Sequence, residues 1–357
     1  MTFKIIKKTY IIAEAGVNHN GDYKLAKKLI SKAAQCNADA VKFQIFRAND
    51  ICLKDTKMAE YQKKNIKKKM SQYEMLESFE FLNGEYIKLK NYAKKKNIDF
   101  LVSVFDESSL NYFNKNIQSH FLKIPSGEIT NYFLLKSLNL KKYKIILSTG
   151  MSNIKEIKEA VNLISRCNVY ELRNNRIIIK NKKKYSYIRN KIFLLHCVSD
   201  YPAAEKFLNL ECIKTLKEYF GLNVGFSDHT KGNFASTLAV AVGANIIEKH
   251  FTLNKIMKGP DHSSSLNPEE LKKFVNRIRR TEIILGSKIK KAQPCELSNI
   301  KSIRKSLVAR KDIKKNEIIT EDNLAAKRPG IGVSPMQIHK LINKFSKKNI
   351  KKDEILK

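Results

Sequence analysis

Residues 225–261 read GFSDHTKGNFASTLAVAVGANIIEKHFTLNKIMKGPD, and this stretch decides the fold. Asn223–Phe226 is a short, mixed apolar run that the polar Ser227-Asp228-His229-Thr230 punctuates. Phe234–Val242 is an Ala/Leu/Val helix ended by Gly243, and Asn245–Phe251 is a second strand closing on Glu248-Lys249-His250. Two parallel strands joined by a helix are neighbours in a sheet, and their carboxyl ends share one edge. His229 and His250 are therefore expected side by side, where a divalent metal would bridge them.

Working outward, the same unit recurs along the chain. Tyr10–Gly16, Ala40–Ile45, Phe100–Phe105, His120–Ile124, Lys144–Ser148 and Ile192–Cys197 are short apolar runs. Between them lie helical segments such as Tyr23–Gln35, which Asp22 caps, a long one from about Tyr73 to Lys96, and Asn153–Ser165. Pro268–Leu285 is a closing helix. Eight strands alternating with helices predict a parallel (β/α)8 TIM barrel, with a doubly wound sheet as the alternative. The position of the polar residues favours the barrel. The strands end in Glu14, Lys42, Ser103, Lys123 with Ser126, Ser148, Ser199 with Tyr201, His229, and Glu248 with His250. In a barrel all of these converge on the carboxyl-end mouth.

Residues 1–285 form the expected catalytic barrel, 286–300, holding Pro294, a linker, and 301–357 a small domain of short strands and turns. Residues 168–191 are too long for an ordinary loop, and their alternation suggests a surface hairpin without assigned chemistry.

A net charge of +35 invites a nucleic-acid or membrane partner. The excess is mostly Lys spread from end to end, without aromatic-and-Arg interleaving, so runs such as Lys63-Lys64, Lys67-Lys68-Lys69 and Lys182-Lys183-Lys184 read as solvated surface. Neither nucleic acid nor membrane is expected as a partner. No apolar run reaches a membrane span, and Met1–Tyr10 lacks a signal-peptide core. Six scattered cysteines without CxxC spacing suit free thiols in a reducing compartment, so a cytoplasmic enzyme is expected.

Two groups of residues carry chemistry. Paired imidazoles at His229 and His250 leave coordination positions open, as a catalytic ion needs. Lysines inside apolar strands are costly unless they meet an anion, which singles out Lys42 and Lys123; with Ser126, Ser148 and Ser227 they suit a phosphate or carboxylate.

AEAGVNHNGD, AVKFQ, KIPSGE, STGM, LLHC, GFSDHT, EKHF, GPD and KRPGIG occur in this order, and here the chain resembles the N-acetylneuraminate (sialic acid) synthase family. The likeness spans nearly the whole chain, including a carboxy-terminal SAF (antifreeze-like, β-clip) domain. It implies condensation of phosphoenolpyruvate with N-acetylmannosamine, or a related 2-acetamido mannose-type sugar, and water. The products are a nine-carbon 2-keto sugar acid and phosphate. The legionaminic acid synthase branch, using 2,4-diacetamido-2,4,6-trideoxymannose, is the alternative within the family. The resemblance assigns the metal, most often Mn2+ with Mg2+ or Co2+ as substitutes, to His229 and His250. It surrounds phosphoenolpyruvate with Lys42, Ser103, Lys123, Ser126, Ser148, Ser199 and Ser227. Glu14, Tyr201 and Asp261 fall to the amino sugar, and Glu248 lies beside metal and phosphoenolpyruvate. Glu14, Glu248, Lys42 and Lys123 are the candidates for proton handling. Arg328 reaches the sugar pocket of the other subunit, which implies a domain-swapped homodimer. Ser103 and Ser199 replace Thr and Asn of some members, Pro125 replaces Gly, and 168–191 is additional.

Two other readings compete: another metal-dependent aldol-type barrel enzyme, and a polyanion-binding protein. The SAF-like tail argues against the first. Retention of His229, His250, Lys42 and Lys123 argues against a catalytically dead barrel.

Overall fold

Alternation along each strand sorts side chains between two layers, and that sorting builds the molecule. The structure, a computed structural model, describes residues 8–66, 69–81, 83–174 and 176–357. Met1–Lys7, part of the segment read above as lacking a signal-peptide core, and the Lys67-Lys68 pair lie outside the described residues.

The strands are β1 (Tyr10–Gly16), β2 (Ala40–Ile45), β3 (Asp99–Val104), β4 (Phe121–Ile124) and β5 (Lys144–Ser148), followed by β6 (Tyr170–Arg173) and β7 (Arg176–Ile179). Then come β8 (Ile192–Cys197), β9 (Asn223–Asp228), β10 (Ile246–His250), β11 (Ser306–Ala309) and β12 (Leu324–Lys327). Parallel pairing in the order β1-β10-β9-β8-β5-β4-β3-β2 closes a barrel of eight strands, as the sequence predicts. β6 and β7 form an antiparallel hairpin outside it, followed by a helix at Lys182–Ile188.

Outward-facing residues such as Val41, Phe43, Val102, Leu147 and Leu194 meet the helices in one continuous core. Helix Tyr23–Gln35 presents Ala26, Leu29, Ile30 and Ala33 to that core, the i, i+3, i+4, i+7 pattern of an amphipathic helix. Burying each large aliphatic side chain contributes about 1.5–3 kcal/mol. Asp22 starts this helix by accepting from the Lys24 and Leu25 amides. Inward-facing Ile12, Ala40, Leu101, Ile146, Phe193, Leu195 and Ile246 fill the barrel floor. Two residues further along most strands the inward side chains become polar, and after β8 the polar residue is Ser199 past the strand end, so the mouth follows largely from strand register.

The chain divides into Met1–Gly286 and Ser287–Lys357. In the second unit β11 and β12 pair antiparallel, and Leu307, Ala309, Ile313, Ile319, Leu324, Ile350 and Leu356 form its core. The expected 286–300 linker ends in a helix, Leu297–Ile303. The single helix expected from Tyr73 to Lys96 is two, Gln72–Glu77 and Asn83–Lys95. Buried Phe79 and Phe81 draw the intervening chain inward and break the helical course. No described helix is long and apolar enough to cross a membrane.

Candidate active site

The barrel mouth encloses a cavity of about 170 Å³ lined by side chains from all eight barrel strands or the loops after them. Glu14, Lys42, Ser103, Lys123, Ser148, Ser227, Glu248 and His250 lie at the strand ends, and Ser126, Ser199, Tyr201 and His229 follow them in the loops. Larger grooves open on the helical surface, one of about 1060 Å³ around Phe133 and Lys136, but they lack buried charges of both signs.

Charge organises the cavity. Lys42 Nζ lies 2.9 Å from Glu14 Oε2 and 3.5 Å from Glu248 Oε2, and it donates to Ser103 Oγ at 2.8 Å. Lys123 Nζ donates to Glu248 Oε1 at 2.7 Å, and Ser227 Oγ donates to the same oxygen at 2.8 Å. Two ammonium groups thus face two carboxylates, all four almost fully buried. Burial pushes Glu14 up, against the pull of Lys42 and with the repulsion of Glu248. Burial also opposes ionisation of Glu248, yet Lys123 and Lys42 outweigh it and hold that carboxyl well below the usual range. Lys42 rises despite burial because two carboxylates face it, whereas burial dominates at Lys123 and lowers it.

Just past β5, the strand paired with the Lys123-bearing β4, Gly150 donates its amide to Ser126 Oγ at 3.1 Å. A Cβ at this glycine would lie 2.4 Å from Ser199 Oγ and 2.8 Å from Ser126 Oγ, so only a glycine leaves this polar cradle open. Ser199 Oγ is buried without a hydrogen-bond partner. An amide and hydroxyls converging near two ammonium groups suit an oxyanion.

The donor set fits a divalent cation. His229 donates Nδ1–H to the Val198 carbonyl at 2.6 Å, the tautomer assigned from that bond, which leaves the Nε2 lone pair beside Ser227 Oγ at 3.3 Å. His250 Nδ1 is buried without a hydrogen-bond partner, with Asp261 Oδ2 3.8 Å away. The two ring centroids are 5.7 Å apart. Burial lowers His229 to about 4 and takes His250 well below its usual value, so both are neutral and able to ligate at pH 7. Among the described residues no cluster of three or more His, Cys, Asp or Glu ligands forms. Two imidazoles with the remaining positions open is the arrangement of a catalytic cation.

Asp261 is buried beside His250, and burial together with the Glu14 charge pushes it up to about 7. Arg328 belongs to the second unit, where its Nε donates to the Ile303 carbonyl at 3.0 Å. Sequence reasoning passed over Tyr61. Its ring packs on Tyr201 at 4.9 Å, and Tyr201 stacks on His229 at 4.1 Å. Tyr61 sits in the Lys-rich stretch after β2, where no periodicity marks it. Gln44, whose amide lies 3.4 Å from Glu14 Oε1, was legible as the next inward residue after Lys42.

A model of the NeuB family matches residues 29–290, and a SAF domain model matches residues 304–357. An N,N'-diacetyllegionaminic acid synthase of Campylobacter jejuni is 47% identical over 352 residues, 99% of this chain and all of that one. Its counterpart from Legionella pneumophila is 41% identical over 334 residues, 93% of this chain and 89% of the other. The crystal structure of the N-acetylneuraminic acid (sialic acid) synthetase from Leptospira borgpetersenii, in complex with citrate, superposes with a TM-score of 0.67. It is 34% identical, covering 84% of this chain and 94% of that one.

Proposed function

The chain belongs to the NeuB family, and from that premise we propose that it is a nonulosonic acid synthase. It condenses phosphoenolpyruvate with a 2-acetamido mannose-type sugar and water, giving a nine-carbon 2-keto sugar acid and phosphate. The observation that carries this reading is the joining of two buried lysines, a hydroxyl-and-amide cradle and two neutral imidazoles in one mouth.

Lys42, Lys123, Ser126, held by the Gly150 amide, and Ser148 bind the phosphate and carboxylate of phosphoenolpyruvate and fix its methylene toward the second substrate. His229 and His250 hold the divalent cation, Mn2+ with Mg2+ or Co2+ as substitutes; when bound, it supplies Lewis-acid polarisation of the sugar aldehyde. Ser103, Ser199 and Ser227 orient the groups around the reacting carbons. Tyr201 and Asp261 bound the sugar side. Glu14 and Glu248, each beside a lysine, are placed to move the protons that C–C bond formation and water addition require. Phosphate then leaves by C–O cleavage.

Identity of 47% to a diacetyllegionaminic acid synthase favours 2,4-diacetamido-2,4,6-trideoxymannose over N-acetylmannosamine as acceptor. The same proposal includes a cytoplasmic, domain-swapped homodimer in which Arg328 serves the partner subunit's sugar pocket; sedimentation of the full chain tests the dimer, and Arg328→Ala its contribution to the sugar KM. Phosphate release from phosphoenolpyruvate with Mn2+, supplying each sugar separately, tests the activity. Release that depends on the diacetamido sugar, with the higher kcat/KM, is expected; no release with either sugar sinks the reading.

A further inference from the structure

Asp228 and Lys249 stand on the outward side of β9 and β10, where other strands carry Phe43, Val102, Leu147 and Leu194. Both are buried, at 0% and 1% exposure, and the strand register sets them opposite each other. Lys249 Nζ lies 3.0 Å from Asp228 Oδ1. That oxygen also accepts from the Thr230 amide at 2.8 Å and the Thr230 hydroxyl at 2.7 Å. Oδ2 accepts from Ser236 Oγ at 2.5 Å, which ties in helix Phe234–Ala241. Lys249 Nζ donates in turn to the Thr230 carbonyl at 2.6 Å.

One ammonium group thus grips the residues on both sides of His229 from the residue preceding His250. Two charges in an apolar wall carry a desolvation cost that a well-packed apolar pair would avoid, so such a pair is poor evidence for added stability. What it supplies here is a fixed position for the turn 228–230 against β10.

We infer that the Asp228–Lys249 ion pair is a positioning device that sets the separation of the His229 and His250 imidazoles, and with it the affinity for the divalent cation. The inference rests on the metal-binding reading of those histidines. Neither residue touches the cavity, so both act through the histidines that adjoin them. Phosphoenolpyruvate binding depends chiefly on groups from other strands and is left alone.

The test compares the full-length wild type with D228N/K249M, which removes both charges and keeps an acceptor for Thr230. Three quantities are read: Mn2+ affinity by electron paramagnetic resonance, phosphoenolpyruvate affinity without metal, and the His229–His250 separation in metal-free crystals. The double variant is expected to weaken Mn2+ binding about 10–100-fold, the usual effect of losing a group that orients a ligand. Its phosphoenolpyruvate affinity should be unchanged, and its imidazole separation should depart from 5.7 Å. Unchanged Mn2+ affinity or unchanged separation overturns the positioning role. If the wild type itself binds no Mn2+, the metal reading fails and the crystallographic separation alone decides. Should D228N/K249M not fold, Asp228→Asn alone removes the charge that pairs with Lys249; a severalfold loss of Mn2+ affinity supports the inference and no loss overturns it.

Discussion

Lys42 and Glu14 form a buried ion pair, 2.9 Å apart, at the centre of the barrel mouth. Glu248 stands 3.5 Å from the same ammonium, so Lys42 stabilises two carboxylates at once. Lys42→Met leaves them with Lys123 as the remaining close cation and should destabilise the fold by about 3–5 kcal/mol. Adding Glu14→Gln should recover most of that stability without recovering activity. Urea titrations of the two variants check this; equal stabilities would sink it.

The imidazole pair makes a separate prediction. His229→Ala removes a proposed ligand, a neutral imidazole whose other nitrogen is already committed to Val198 O. Mn2+-dependent phosphate release should fall by at least about 100-fold, within the range that loss of a catalytic group produces. The variant should still fold, with a melting temperature in metal-free buffer lowered by the unpaired Val198 carbonyl and the lost stacking on Tyr201. Chelation of the wild type should silence it, and added Mn2+ should restore it.

Gly150 gives a prediction about one substrate only. In Gly150→Ala the new methyl presses on Ser199 Oγ and Ser126 Oγ, filling the proposed phosphate cradle. The KM for phosphoenolpyruvate should rise about tenfold, equivalent to ~1.4 kcal/mol, with the sugar KM little changed. A rise confined to the sugar would assign the cradle to the wrong substrate.

Acid should loosen the fold through His19. Its ring is buried, stacks on Phe81 at 4.0 Å, and accepts the Gly21 amide on Nδ1 at 3.1 Å. Burial first, and the His262 charge second, lower it to about 3. Below an unfolded-state pKa of about 6.5 the unfolded chain binds a proton that the native chain refuses. The associated stability is complete above that value and drains away as pH falls toward 3. His19→Asn keeps the acceptor but not the titration, so its urea stability should fall less steeply between pH 6.5 and 4. Identical slopes would count against the assignment.

The barrel was readable because most strands repeat one rule, apolar below and polar two residues above, as in Ile12 then Glu14 and Ile246 then Glu248. That rule exposes Lys42, Lys123, Ser148 and Ser227 without any knowledge of contacts. It fails where position depends on what packs from elsewhere. Tyr61 reaches Tyr201 from a stretch with no period, and the end of the first helix before Phe79 follows from burial of Phe79 and Phe81. Asp228 and Lys249 looked like ordinary polar residues beside two histidines; their meeting on the outer wall needs the register of β9 against β10. Asp261, which the resemblance groups with the sugar-binding residues, adjoins His250, a neighbour that needs the loop after β10 to be placed.

Barrel closure has a consequence for synthesis of the chain. The ring is sealed by pairing β1 with β10, the register that sets Glu14 opposite His250. A nascent chain emerging from the ribosome therefore carries Glu14, Lys42 and Lys123 long before their counterparts on β9 and β10 exist. Those early charges have no finished mouth to enter, and contacts of such long sequence separation form late. The mouth lined by Glu14, Lys42 and Lys123 is therefore complete only once β10 has paired with β1.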